Sequence, residues 1–122
     1  MRILYAEDDP VMQKMIVYSL IKMGHEVTTV DNGKEAIDAL KSEDFGFVIL
    51  DVFMPMVSGL EVAKFIRDDL KKNTPIVMLS RNGTEMIKEE AMDIGVNNYI
   101  TKPIEPDMLL LEIKKFTGNA LG

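Results

Sequence analysis

A chain of 122 residues with 20 acidic and 14 basic side chains, formal charge −6, is one domain large enough to bury a core without staples. It has no cysteine and one histidine, which excludes disulfides, thiolate and multi-histidine metal sites and cysteine nucleophiles. With no basic block, no apolar run near the roughly 20 residues of a membrane span and no signal-peptide layout, a cytoplasmic protein that binds neither nucleic acid nor membrane is expected.

Arg2-Ile3-Leu4-Tyr5-Ala6 reads as a short apolar strand ending on Glu7-Asp8-Asp9, with Tyr5 a packing residue. Asp9 suits a helix N-cap and Pro10 the first turn behind it. Val11, Met12, Met15, Ile16, Ser19, Leu20 and Met23 recur at helical spacing and predict one buried stripe, which Gly24 stops. Glu26-Val27-Thr28-Thr29-Val30 predicts a second strand, polar enough to lie near an edge, with His25 an exposed residue before it. Asp31-Asn32-Gly33 turns the chain into a short helix marked by Ala36, Ile37 and Leu40. Phe47-Val48-Ile49-Leu50 then runs without polar alternation into Asp51. That is the pattern of a strand covered on both faces, as in a parallel sheet.

A loop holding Met54-Pro55-Met56 and Gly59 follows, then a helix lined by Leu60, Ala63, Ile66 and Leu70. Thr74-Pro75-Ile76-Val77-Met78-Leu79 predicts a fourth strand ending on Ser80. The polar turn Arg81-Asn82-Gly83 leads to a weakly apolar fourth helix that turns Ile87, Ala91 and Ile94 inward. Asn98-Tyr99-Ile100-Thr101 is a fifth strand ending on Lys102-Pro103, and Leu109, Ile113 and Phe116 give the last helix its buried face. Most of the ten methionines are expected on buried helix faces and in the 54–56 loop, filling gaps. Residues 1–122 read as a single domain, and Gly118-Asn119-Ala120-Leu121-Gly122 can be read as the start of a linker.

Five strands alternating with five helices imply right-handed crossovers and a doubly wound parallel α/β sheet. Such sheets bind ligands outside the carboxyl ends of their strands. Here four strands end on chemistry: Glu7-Asp8, Asp51, Ser80 and Lys102. A carboxylate after a strand is often only a helix cap, and a lone lysine only a solvated charge; the coincidence at four strand ends argues for a site. Three crowded carboxylates need positive charge, which Lys102 and a divalent cation would supply. All-oxygen ligands suit Mg²⁺, the usual companion of phosphate chemistry. An aspartate can itself take a phosphoryl group, and Lys102 and the Ser80 hydroxyl would then neutralise its oxygens.

The motifs Ile3-Leu4-Tyr5-Ala6-Glu7-Asp8-Asp9-Pro10, Leu50-Asp51-Val52-Phe53-Met54-Pro55 with Gly59, Pro75-Ile76-Val77-Met78-Leu79-Ser80 and Tyr99-Ile100-Thr101-Lys102-Pro103 occur in this order. With them the chain resembles, over essentially its whole length, the receiver domain of two-component response regulators, of the stand-alone, chemotaxis-regulator-like kind. The resemblance implies a (βα)5 flavodoxin-like fold with strand order 2-1-3-4-5. It implies that Asp51 accepts a phosphoryl group from a sensor histidine kinase or phosphotransfer protein. Mg²⁺ (or Mn²⁺) would be held by Asp8 directly, Glu7 through water, Asp51, and the backbone carbonyl of Phe53. Ser80 and Tyr99 become the switch pair, Lys102 the phosphoryl partner, and the Lys102-Pro103 bond cis. A downstream effector would dock on the fourth helix, fifth strand and fifth helix, and phosphorylation can also drive homodimers.

Two departures stand out. Glu7 replaces the commoner aspartate of the acidic pair, and Arg81 follows Ser80 where a small residue is usual. Arginine there can shield the phosphoryl site, contact its oxygens or point into solvent, and by the resemblance Phe53 and Asn82 tune the lifetime of the phosphorylated state. Other readings are an aspartate-based phosphohydrolase, which needs a second acid where Phe53 stands, and a flavin binder, whose phosphate the Glu7-Asp8-Asp9 run would repel. A receiver-like module that binds without being phosphorylated would not need the complete set of site residues.

Overall fold

The computed structural model describes residues 1–81 and 84–116, so Asn82 and the proposed linker at 118–122 lie outside the described residues. Strands β1 (Arg2–Ala6), β2 (Glu26–Val30), β3 (Phe47–Asp51), β4 (Ile76–Ser80) and β5 (Asn98–Thr101) form one parallel sheet in the order 2-1-3-4-5. The expected order is observed, with the polar strand β2 at one edge. β3 and β4 are buried at every residue, as their unbroken apolar runs predict. β4 begins at Ile76, because Pro75 has no N–H to give to a ladder.

Helices α1 (Pro10–Lys22) and α5 (Pro106–Phe116) cover one face of the sheet. The other face is covered by α2 (Gly33–Ser42), α3 (Gly59–Lys64) and α4 (Glu85–Ile94). Strand side chains alternate between the layers. Ile3, Tyr5, Phe47 and Ile49 pack under Met12, Ile16, Leu20, Leu109 and Ile113. Leu4, Ala6, Val48 and Leu50 pack against Ala36, Leu40, Val62, Ala63 and Ile66. Each fully buried large aliphatic residue contributes roughly 1.5–3 kcal/mol. Among the described residues no helix is long and apolar enough to cross a membrane.

The helices start where polar side chains can cap them. Asp9 Oδ1 accepts from the amides of Val11 at 3.0 Å and Met12 at 3.3 Å, and Ser58 and Thr84 cap α3 and α4 in the same way. Such caps contribute about 1 kcal/mol each. Gly24 (φ +90°) follows α1 and Gly95 (φ +108°) ends α4, both in the left-handed region open to glycine.

Four expectations need correction. The buried stripe of α1 is only Met12, Ile16 and Leu20, while Val11, Met15 and Met23 are exposed. The helix lies on the sheet along one ridge, so residues one position away on either side turn outward. α3 is not a regular helix through Leu70: it continues as a π-helical turn over Phe65–Asp69, closed by the Leu70 amide on the Phe65 carbonyl at 3.0 Å. The wider turn shifts the register, and Val62 joins Ala63 and Ile66 in the core while Leu60 and Leu70 are half-buried. Phe116 is 36% exposed at the end of α5, its ring tilted against Phe47, whereas Glu112 is buried beside Ile113. Seven of the ten methionines (1, 15, 23, 56, 86, 92 and 108) are exposed, so gap filling is limited to Met12, Met78 and the half-buried Met54.

Candidate functional site

Parallel strands bring their carboxyl ends to one edge, and the ladder fixes which residues meet there. Asp51 is in register with Leu79, and Ser80 with Thr101. Bonds past the strand ends hold the rim: Glu7 N–H to the Val30 carbonyl, Val52 N–H to Leu79, and Lys102 N–H to Ser80 at 2.7 Å. Gly59 donates to the Val52 carbonyl at 2.9 Å, and a Cβ on it would lie 2.2 Å from the Asp51 carbonyl oxygen. Only glycine lets the start of α3 press so closely on the end of β3. The Lys102-Pro103 bond is cis.

Glu7, Asp8 and Asp51 each present a carboxylate oxygen within 4.8 Å of the others. Glu7 is fully buried, Asp51 is 3% exposed and Asp8 faces solvent. At that separation each pair of charges repels by about 3 kcal/mol in an effective dielectric of about 20. Lys102 answers part of this. Its Nζ lies 2.9 Å from Glu7 Oε1, 3.0 Å from Glu7 Oε2 and 3.1 Å from Asp51 Oδ2, with the side chain almost wholly enclosed. Burial raises the pKa of Glu7, the Lys102 hydrogen bond pulls it part of the way back, and Asp51 pushes it up again. For Lys102 burial alone would lower the pKa, but Glu7 and Asp51 outweigh it and keep the ammonium charged. Three carboxylates against one ammonium still leave two negative charges in the pocket. Hard oxygen donors with that excess charge fit a small divalent cation.

Ser80 and Tyr99 stand apart from this ion-pair network. Both hydroxyl oxygens are buried, and neither has a hydrogen-bond partner among the described residues. Buried polar groups are nearly always satisfied, so two orphaned hydroxyls on adjacent strands are an exception that asks for a reason. Phe53 sits in the loop after β3 with its side chain exposed. Arg81 is exposed on the rim of a cleft of about 320 Å³ that it shares with Asp9, Met12, Lys102 and Pro103.

Three contributors to the pocket were not legible as such in the sequence. Tyr5, expected only to pack, is fully buried and donates its phenol proton to Glu7 Oε1 at 3.3 Å. Burial, reinforced by Glu7, pushes the phenol above its ordinary pKa, so it stays protonated. The Asp9 amide donates to Glu7 Oε2 at 3.3 Å, and Gln13 Nε2 donates to the Glu7 carbonyl at 3.0 Å and to Asp31. Only the spacing of Tyr5 and Glu7, two residues apart on one strand face, could have signalled the contact. His25, expected to be exposed, is half-buried, with Nδ1 3.2 Å from the terminal amine of Met1, well away from the acidic pocket.

The sequence profile of the response regulator receiver domain matches residues 3–114. A chemotaxis protein CheY homolog of Campylobacter jejuni is 35% identical over 125 residues, spanning 100% of this chain and 96% of that protein. Among solved structures, chemotaxis response regulator CheY4 of Vibrio cholerae superposes with a TM-score of 0.86 at 30% identity, covering 94% of this chain and 97% of that one. Response regulator protein TrrA of Thermotoga maritima, solved in complex with Mg²⁺-BeF, superposes with a TM-score of 0.83 at 33% identity, covering 94% of this chain and 97% of that one.

Proposed function

This chain belongs to the response regulator receiver domain family of two-component signalling, and on that premise we propose that it is a switch set by a phosphoryl group on Asp51. The observation that carries this reading is the pocket itself: three carboxylates within 4.8 Å of one another and a buried lysine bonded to two of them. Asp8, exposed at the rim, would hold Mg²⁺ (or Mn²⁺) directly, with Asp51, the Phe53 backbone carbonyl and, through water, Glu7 completing the set. When bound, the cation offsets the excess negative charge and draws electron density from the oxygens of the transferring group.

A lone pair on an Asp51 carboxylate oxygen forms the new P–O bond as the P–N bond of a donor phosphohistidine breaks. The bonding electrons leave with the imidazole nitrogen. The donor is a sensor histidine kinase or a phosphotransfer protein. Hydrolysis reverses the state: water supplies an oxygen to phosphorus, phosphate leaves and the Asp51 carboxylate returns. These two steps on its own aspartate are the only chemistry required of a signalling domain of this kind.

Lys102, now shared between Glu7 and Asp51, re-pairs with the phosphoryl oxygens. The Ser80 hydroxyl, buried and without a partner, is a donor free to turn toward them. The orphaned Tyr99 hydroxyl one strand away gives the ring no bond to break when it follows Ser80 inward. This pair biases the surface of α4, β5 and α5, where an effector protein or a second copy would read the state.

Incubation with acetyl phosphate and Mg²⁺ followed by intact-mass measurement tests the assignment. The wild type gains one phosphoryl mass and Asp51→Ala gains none. No gain in wild type, or an equal gain in both, overturns it.

A further inference from the structure

We propose that Tyr5 is a positioning residue of the acidic pocket, holding Glu7 in the orientation from which it serves a divalent cation; this rests on the reading of the pocket given above. Glu7 is fully buried and has three donors. Lys102 reaches both of its oxygens, the Asp9 amide lies 3.3 Å from Oε2, and the Tyr5 hydroxyl lies 3.3 Å from Oε1. Two of these donors belong to the framework. The Asp9 amide is backbone at the start of α1, and the Tyr5 ring is locked in the core beneath α1 and α5. The third, Lys102, is the one that a phosphoryl group on Asp51 would recruit.

A buried carboxylate left without partners is strongly disfavoured. Tyr5 and the Asp9 amide therefore keep Glu7 satisfied and in place when Lys102 re-pairs. Without the phenol, Glu7 has one oxygen bonded by Lys102 alone, and it swings toward the ammonium and away from Asp8 and Asp51. The contact depends on the length of glutamate. Aspartate at position 7, one methylene shorter, would withdraw its carboxylate from a bond that already spans 3.3 Å. Tyr5 and Glu7 thus form a matched pair.

The test is a cycle of four proteins: wild type, Tyr5→Phe, Glu7→Asp and the double variant, each titrated with Mg²⁺ by calorimetry. Tyr5→Phe keeps the ring and its packing, and far-UV dichroism checks the fold. The expected result is an affinity loss of about tenfold for Tyr5→Phe when residue 7 is glutamate, the lower end of what orienting partners of metal ligands contribute. In the Glu7→Asp background the same substitution changes affinity less than about twofold. Unchanged affinity in the glutamate background, or an equal loss in both, makes Tyr5 a packing residue and overturns the proposal. In ¹³C-tyrosine-labelled wild type the Tyr5 Cζ resonance moves when Mg²⁺ is added, and an unmoved resonance overturns it as well. A wild type that binds no Mg²⁺ and gains no phosphoryl mass overturns the whole reading of the pocket. A wild type that does both while Tyr5→Phe matches it overturns the Tyr5 assignment alone.

Discussion

Glu7 is the residue under most electrostatic strain. Burial, and Asp51 beyond what Lys102 offsets, raise its pKa, so the folded protein keeps this proton to higher pH than the unfolded chain. Its contribution to stability is present below the ordinary carboxylate range and is lost as pH rises through the raised value. Glu7→Gln removes that loss and leaves Lys102 paired with Asp51. In metal-free buffer at about pH 8 the variant is expected to melt roughly 4 °C above wild type, the shift that about 1 kcal/mol produces at this chain length. The two melting temperatures converge as pH falls toward about 4. Calorimetric scans across that range decide it, and a wild type that melts higher at the alkaline end contradicts the sign. Asp51, Ser80 and Lys102 were legible as candidates because each closes an apolar strand. The role of Tyr5 was not, because an aromatic residue in a strand looks the same whether its hydroxyl finds a carboxylate or nothing.

At the scale of elements, caps and strands were legible while helix faces were not. Asp9, Pro10, Gly24 and Gly95 act through local backbone geometry, which residue identity largely decides. The outward turn of Val11, Met15 and Met23 depends on where α1 rests on the sheet, and the π-helical turn after α3 depends on what its end must reach. The β3–α3 loop contains a further local conflict. Met56 has φ +71° and is 72% exposed, a left-handed conformation that suits glycine, with little packing to lose. Met56→Gly is therefore expected to stabilise the fold by about 1 kcal/mol. In urea this reads as a higher midpoint with an unchanged slope. A lower midpoint would mean that the methionine side chain holds the loop.

Over the whole molecule, the strand order brings chain-distant residues to one edge, and a second tie joins α3, α4 and β5 far from the pocket. Arg67, at the end of α3, donates to the Gly95 carbonyl from Nε at 3.1 Å and Nη2 at 3.0 Å. The same guanidinium reaches the Lys72 carbonyl at 2.8 Å and Asn97 Oδ1 at 3.1 Å. Asn97 in turn accepts from the Ile76 amide at 2.8 Å, at the start of β4. Burial lowers the Arg67 pKa from its ordinary value. One planar fork thus closes the end of α4 and anchors the entrance to β5. Lysine, a point charge, cannot make these bonds together. Arg67→Lys is expected to cost about 2 kcal/mol and to speed amide hydrogen exchange in α4 and β5 more than in β1 and β3. Uniform acceleration through the sheet would mean that the tie serves global stability only.

The sequence by itself determined the five strands, their burial, the N-caps and the polar residues that end strands β1, β3, β4 and β5. These follow from hydrophobic periodicity and from residues whose backbone preferences are intrinsic. It also carried the motif order by which the family and the parallel fold were recognised. Only the tertiary structure decided that Tyr5 and the Asp9 amide hold Glu7, that the Ser80 and Tyr99 hydroxyls are buried without partners, and that most methionines face outward. The physical reason is range. A cap or a strand is specified within a few residues, whereas a hydrogen bond at the pocket, or its absence, depends on how separate elements settle against one another to within a few tenths of an ångström.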